Sequence, residues 1–133
     1  MLFRSTERLT VPQVRAPIDL MKLLGAWPPG RRLLMCDETG GGQPIAEALT
    51  ALDGTARAAP WAVLTGPEGG FSADELGHLG RIKDVTSVGL GPRILRADTA
   101  ALAALAVWQA LVGDWRRPTP RLTADYRTSR APD

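Results

Sequence analysis

Three short apolar runs restrict what this chain can become. They are Leu33-Leu34-Met35-Cys36, Trp61-Ala62-Val63-Leu64 and residues 85–90, each followed by a glycine-bearing loop and then by a helix signal. A run such as Trp61-Ala62-Val63-Leu64, which never alternates with polar residues, reads as a strand buried on both faces. The order strand, helix, strand, helix, strand, helix implies an α/β fold, a parallel sheet with flanking helices. Strands are expected at residues 32–36, 61–64 and 85–90. One helix is expected over residues 45–52, where Ile45, Ala48, Leu49 and Leu52 fall at helical spacing, and Pro17 is expected to open an earlier one over residues 18–24. Asp53-Gly54 reads as a stop, and residues 55–60 as a surface connection.

Ser72-Ala73-Asp74-Glu75 is a capping box, so helix geometry explains Glu75 without a catalytic role. The helix it opens ends near Gly80. His78 on that helix has no partner evident in the sequence and reads as a solvated surface histidine; no metal site is expected. Asp98 is expected to cap the last helix, which runs to Val112 and is apolar almost all round. A helix of that kind needs cover on more than one side, and in a small domain a second subunit commonly supplies it.

At 133 residues with a net charge of +2, the chain is one domain's worth and carries little charge excess. The five arginines and three aspartates of residues 114–133 account for all of that excess. The body, residues 1–113, therefore lacks the basic footprint of a stand-alone nucleic-acid binder. Residues 114–133 form an arginine- and proline-rich tail, expected to be loosely ordered. A single cysteine, Cys36, excludes an internal disulfide framework and reads as a packed thiol rather than a nucleophile. No signal peptide is apparent and no apolar stretch reaches the roughly 20 residues of a membrane span, so a cytoplasmic protein is expected.

Thr65-Gly66-Pro67-Glu68-Gly69-Gly70 and Leu90-Gly91-Pro92-Arg93-Ile94-Leu95-Arg96 sit at the carboxyl ends of two expected strands, where open α/β sheets bind ligands. Neither is a phosphate cradle. The first has no lysine after its glycines and the second lacks a third glycine at the dinucleotide offset. Backbone amides and carbonyls beside Leu64, Leu90, Ile94 and Leu95 suit a neutral or cationic ligand with a flat ring, such as a purine. The competing reading is that the glycines only make tight turns.

Leu64-Thr65-Gly66-Pro67-Glu68-Gly69-Gly70-Phe71-Ser72, followed by Leu90-Gly91-Pro92-Arg93-Ile94-Leu95-Arg96-Ala97-Asp98-Thr99-Ala100, resembles the ribosomal RNA small-subunit methyltransferase E family. These are SPOUT-class enzymes that methylate N3 of a uridine in 16S ribosomal RNA with S-adenosylmethionine. Thr6-Glu7-Arg8-Leu9-Thr10-Val11-Pro12 is similar to a family segment in which an arginine precedes Val-Pro. The resemblance covers residues 6–115, with Asp98 where the family usually has glutamate. It implies a carboxyl-terminal trefoil knot and a homodimer with sites at the subunit interface. It places the cofactor's adenine against Leu64, Leu90 and Leu95, with amides of the Gly66, Gly70, Gly91 and Ile94 region and the Thr99 hydroxyl as partners. Arg96 and Arg8 become the candidates for orienting the uridine or holding its developing charge. An ion pair to Asp98 or Glu68 is the structural alternative for Arg96. For Glu68, fixing its loop by accepting backbone amides is preferred to catalysis. The family's amino-terminal RNA-binding barrel and the first strand and helix of its methyltransferase domain have no counterpart here, so a truncated domain is expected. Cofactor binding without turnover is the alternative function, and a dimerisation module a further one.

Overall fold

The computed structural model describes residues 12–118; Arg8, the segment before Val-Pro and the tail beyond residue 118 lie outside the described residues. The elements run α1 (Leu20–Gly25), β1 (Arg32–Cys36), β2 (Gln43–Pro44), α2 (Ile45–Thr50), α3 (Gly54–Ala58), β3 (Trp61–Thr65), α4 (Ala73–Leu79), β4 (Val85–Gly89) and α5 (Ala97–Leu111), then a 3-10 turn at Asp114–Arg116. The four strands form one parallel sheet in the order β2-β4-β1-β3. The expected parallel α/β architecture is therefore present.

β1 lies at the centre of this sheet, and its alternation builds two cores. Leu34 and Cys36 point to one face, packed with Ala48 and Leu49 of α2, Val88 of β4 and Ala104 of α5. Leu33 and Met35 point to the other, packed with Leu24 of α1 and Leu79 of α4. Leu33 and Leu34 are 2% and 0% exposed, which is what a central parallel strand demands of consecutive side chains.

Several expectations need correction. Among the described residues Trp61–Thr65 is an edge strand, and it is half-buried throughout, not buried on both faces. Its apolar character serves packing on its neighbours instead: Trp61 lies 6.5 Å from Trp108 between ring centroids, with the Arg32 guanidinium 5.1 Å from its own centroid. α1 begins at Leu20 rather than Ile18, because Asp19 caps it by accepting from the Lys22 amide. Asp53 does not merely stop α2. Its carboxylate accepts from the Ala56 amide at 2.7 Å and starts α3, where only a surface connection is expected. The capping box at Ser72 and Glu75 forms in both directions, and His78 stays exposed, its Nδ1 2.9 Å from the Asp74 carbonyl. Asp98 sits inside the first turn of α5, where the helix dipole favours it, while the cap position itself is Arg96. Among the described residues α5 buries only Ala100 and Ala104, and leaves Leu102 71% and Leu105 46% exposed.

Among the described residues no helix is long and apolar enough to cross a membrane.

Candidate functional site

In a parallel sheet all strand ends point the same way, and register aligns them: Cys36 pairs with Thr65 on one side and Val88 on the other. The loops leaving β1, β3 and β4 thus emerge side by side. From β1 the chain passes to β2 at one edge, crosses to β3 on the other side of β1, then returns past β1 to β4, so the connections on the two sides of the central strand diverge and open a crevice there. A cavity of about 220 Å³ occupies it.

Three loops and the start of α5 line that cavity. Cys36, Asp37, Glu38 and Gly40 come from β1; Thr65, Gly66, Pro67 and Glu68 from β3. Gly89 ends β4 and residues 90–95 follow it, and Ala97 and Ala100 supply the helix wall. Leu90, Ile94, Leu95, Ala97 and Ala100 make one side apolar; Ile94 is an uncovered lip, 75% exposed. At Gly91 the backbone turns through φ +105°, and a Cβ built there meets nothing within 4 Å. A side chain would be strained at that φ and would project into open space beside the crevice.

The expected site residues divide accordingly. Gly66, Leu90, Gly91, Ile94 and Leu95 line the cavity together. Leu64, Gly70, Thr99 and Arg96 do not. Leu64 turns into the core beneath α4. Gly70 (φ +77°) sits behind the wall with a Glu38 carboxylate oxygen against it, closer than any Cβ would permit. Thr99 is exposed in the first turn of α5. Arg96 points outward, its side chain 81% exposed and 3.8 Å from Asp98, the ion pair considered as its structural alternative. Glu68 accepts no amide among the described residues; the turn is closed instead by the Gly70 amide donating to the Pro67 carbonyl at 2.9 Å.

The largest omission of the sequence reading is the loop after β1. Its carboxylates Asp37 and Glu38, just before Gly40-Gly41-Gly42, were the available signal. Asp37 is tied down: Oδ1 accepts from the Thr39 amide at 2.9 Å and its hydroxyl at 2.6 Å, and Ser87 Oγ lies 3.4 Å from Oδ2. Glu38 has neither a hydrogen bond nor an ion pair among the described residues. Arg93, overlooked beside Arg96, lines the crevice and is exposed, without an ion pair among the described residues. Cys36 forms part of the floor, and burial pushes its thiol up to about 11, so it is neutral at physiological pH and no thiolate nucleophile.

Chemically, the crevice offers an apolar slot, glycine backbone open to close approach, and carboxylates without cationic partners on the β1 side. That combination gives an α/β domain whose strand-end crevice suits a flat, positively charged small molecule. Comparison with known proteins narrows the class. Residues 5–109 match the RNA methyltransferase domain family. A stretch of 44 residues is 52% identical to the ribosomal RNA small subunit methyltransferase E of Rickettsia conorii, covering 33% of this chain and 18% of that protein. The crystal structure of a ribosomal RNA small subunit methyltransferase E from Neisseria gonorrhoeae bound to S-adenosyl methionine superposes with a TM-score of 0.65 at 28% identity, covering 82% of this chain and 42% of that one. A Legionella pneumophila methyltransferase solved with bound cofactor SAM gives 0.62 at 28% identity, over 81% of this chain and 41% of that one. The chain belongs to the RNA methyltransferase domain family and, within it, to the ribosomal RNA small subunit methyltransferase E family, spanning less than half the length of these relatives.

Proposed function

We propose that this chain binds S-adenosylmethionine in the strand-end crevice and serves methylation of N3 of a uridine in 16S ribosomal RNA, as a homodimer. The observation that carries the reading is the convergence of three loops on one crevice whose walls suit that cofactor: a flat apolar side for the adenine and carboxylates for the positive charge. Relatives solved with the same cofactor support it. Leu90, Ile94 and Leu95 would hold the ring, with backbone groups at Gly66 and Gly91 as hydrogen-bond partners. Leu64 and Gly70 would act from behind the wall by fixing the β3 loop, and Thr99 would add a hydroxyl at the start of α5.

The cofactor, when bound, supplies a methyl group on a sulfonium. The protein's part is positioning and charge. N3 of the uridine must lose a proton and lie in line with that methyl, so much of the rate comes from orientation and from stabilising the developing anion. Arg96 and Arg8 are proposed for this. A guanidinium stays protonated and is a better electrostatic partner than a proton acceptor. The exposed Arg96–Asp98 pair is weak enough to exchange for a nucleic-acid partner. Threading of α5 between the loops after β3 and β4, as a trefoil knot, belongs to the same proposal. So does the homodimer, supported by the uncovered apolar face at Leu102 and Leu105.

A second reading, cofactor binding without turnover, is favoured by one observation. Outside residues 114–133 eleven cationic side chains face eleven acidic ones, leaving no net charge to hold RNA. Calorimetry with S-adenosylmethionine, beside a methylation assay on small-subunit RNA, separates the two. Binding with methyl transfer to uridine N3 is the expected result. Binding without transfer selects the second reading, and no binding overturns the crevice assignment.

A further inference from the structure

We propose that Glu38 makes the crevice select for charge on the methyl donor, favouring the cationic sulfonium over the thioether that remains after transfer. This rests on the cofactor reading above and deepens it by naming which carboxylate of the β1 loop answers the positive charge and what that does to ligand choice.

The observations single out Glu38 among the crevice carboxylates. It leaves the end of the central strand, lines the cavity, is half-buried, and has no hydrogen bond or ion pair among the described residues. Its neighbour Asp37 is occupied by Thr39 and approached by Ser87. Glu68 stands exposed, where solvent screens it. Glu38 is also held at a defined place, since its carboxylate rests on Gly70, a position only a glycine leaves open. The cation in the lining, Arg93, comes from the opposite loop and does not pair with it.

A partly enclosed carboxylate beside apolar walls keeps more of its field than one in open water, and gains most from a ligand that brings the missing positive charge. A sulfonium brings it; a thioether of the same shape does not. The two ligands share the adenosine and the amino-acid end, including its ammonium. A carboxylate directed at either shared part would treat them alike, so only one near the sulfur separates them. The consequence is directional: the donor is retained and the spent product is released, a step that limits many enzymes.

The test is calorimetry on the full chain with S-adenosylmethionine and with S-adenosylhomocysteine, the thioether, for the unaltered protein and for Glu38→Gln. The substitution is expected to weaken donor binding about tenfold and to leave thioether binding within about twofold. Retained thioether affinity doubles as proof that the variant is folded. A second measurement needs no variant: raising the salt concentration should weaken the donor more than the thioether. Equal loss for both ligands, no loss for either, or equal salt responses would overturn the charge role while leaving the cofactor reading intact. Failure of the unaltered protein to bind either ligand would overturn both.

Discussion

Arg57 and Glu38 lie at opposite ends of the same sheet and show two uses of a charged side chain. At the strand-start end, Arg57 from α3 donates through Nε to Leu52 O at 3.0 Å and through Nη1 to Leu111 O at 2.7 Å. Its Nη2 reaches Leu49 O and Thr50 O, both at 2.9 Å. One guanidinium thus closes the carboxyl ends of α2 and α5, where unpaired carbonyls and the negative end of each helix dipole gather. At the strand-finish end, Glu38 and Arg93 line a cavity with no such partners among the described residues. A charge whose hydrogen bonds are all spent inside the fold is structural; one left unspent beside a cavity is available to a ligand.

The largest effect expected from this contrast is on stability. Arg57→Met would leave four carbonyls without their shared donor and is expected to cost about 3 kcal/mol in denaturant unfolding, while leaving cofactor affinity near normal in the remaining folded protein. A loss well below 1 kcal/mol would mean that the Arg57 hydrogen bonds do not hold the helix ends together. Cys36 comes next. Burial raises its thiol from 9.0 to about 11, so the folded state favours the neutral form. Its contribution is therefore complete below pH 9 and disappears as pH rises towards 11, about 2 kcal/mol in all. Cys36→Ala should show a correspondingly flatter stability profile between those pH values; parallel profiles would contradict it.

Gly70→Val sharpens the other end. Its φ of +77° is unfavourable for a side chain, at a cost of about 1 kcal/mol, and the new Cβ evicts the Glu38 carboxylate. Donor binding should be lost while the oligomeric state is unchanged by sedimentation; undiminished affinity would remove Gly70 from the account. The smallest effect belongs to Arg96→Gln. Its exposed contact with Asp98 should be worth under about 0.5 kcal/mol, so thermal stability holds while any RNA methylation falls.

Much of the sheet and two of the three crevice loops are legible in the sequence, because they depend on local signals. Apolar runs mark the strands, and the glycines of residues 66–70 and Gly91 mark the loops that leave β3 and β4. What escapes depends on partners distant in sequence. Trp61–Leu64 is as apolar as a central strand, and nothing local reveals that β3 lies at the sheet edge. Asp53-Gly54 serves equally as a helix stop and as the start of a new helix, so α3 and with it Arg57 went unread. Glu38 becomes notable only when the loop after β1 is brought beside Gly70, thirty-two positions along the chain. Arg93 and Arg96 are three residues apart, and only the course of the backbone into α5 sends one to the cavity and the other to solvent.

On the proposed reading, the loops after β1, β3 and β4 form a single pocket for an adenosine-bearing methyl donor. Amide chemical-shift mapping during titration with S-adenosylmethionine tests it most directly. Saturable shifts concentrated at residues 36–40, 65–70 and 89–100, with those around Arg57 unmoved, are the expected result. Saturable shifts centred away from the strand ends, or none at millimolar cofactor, would contradict it.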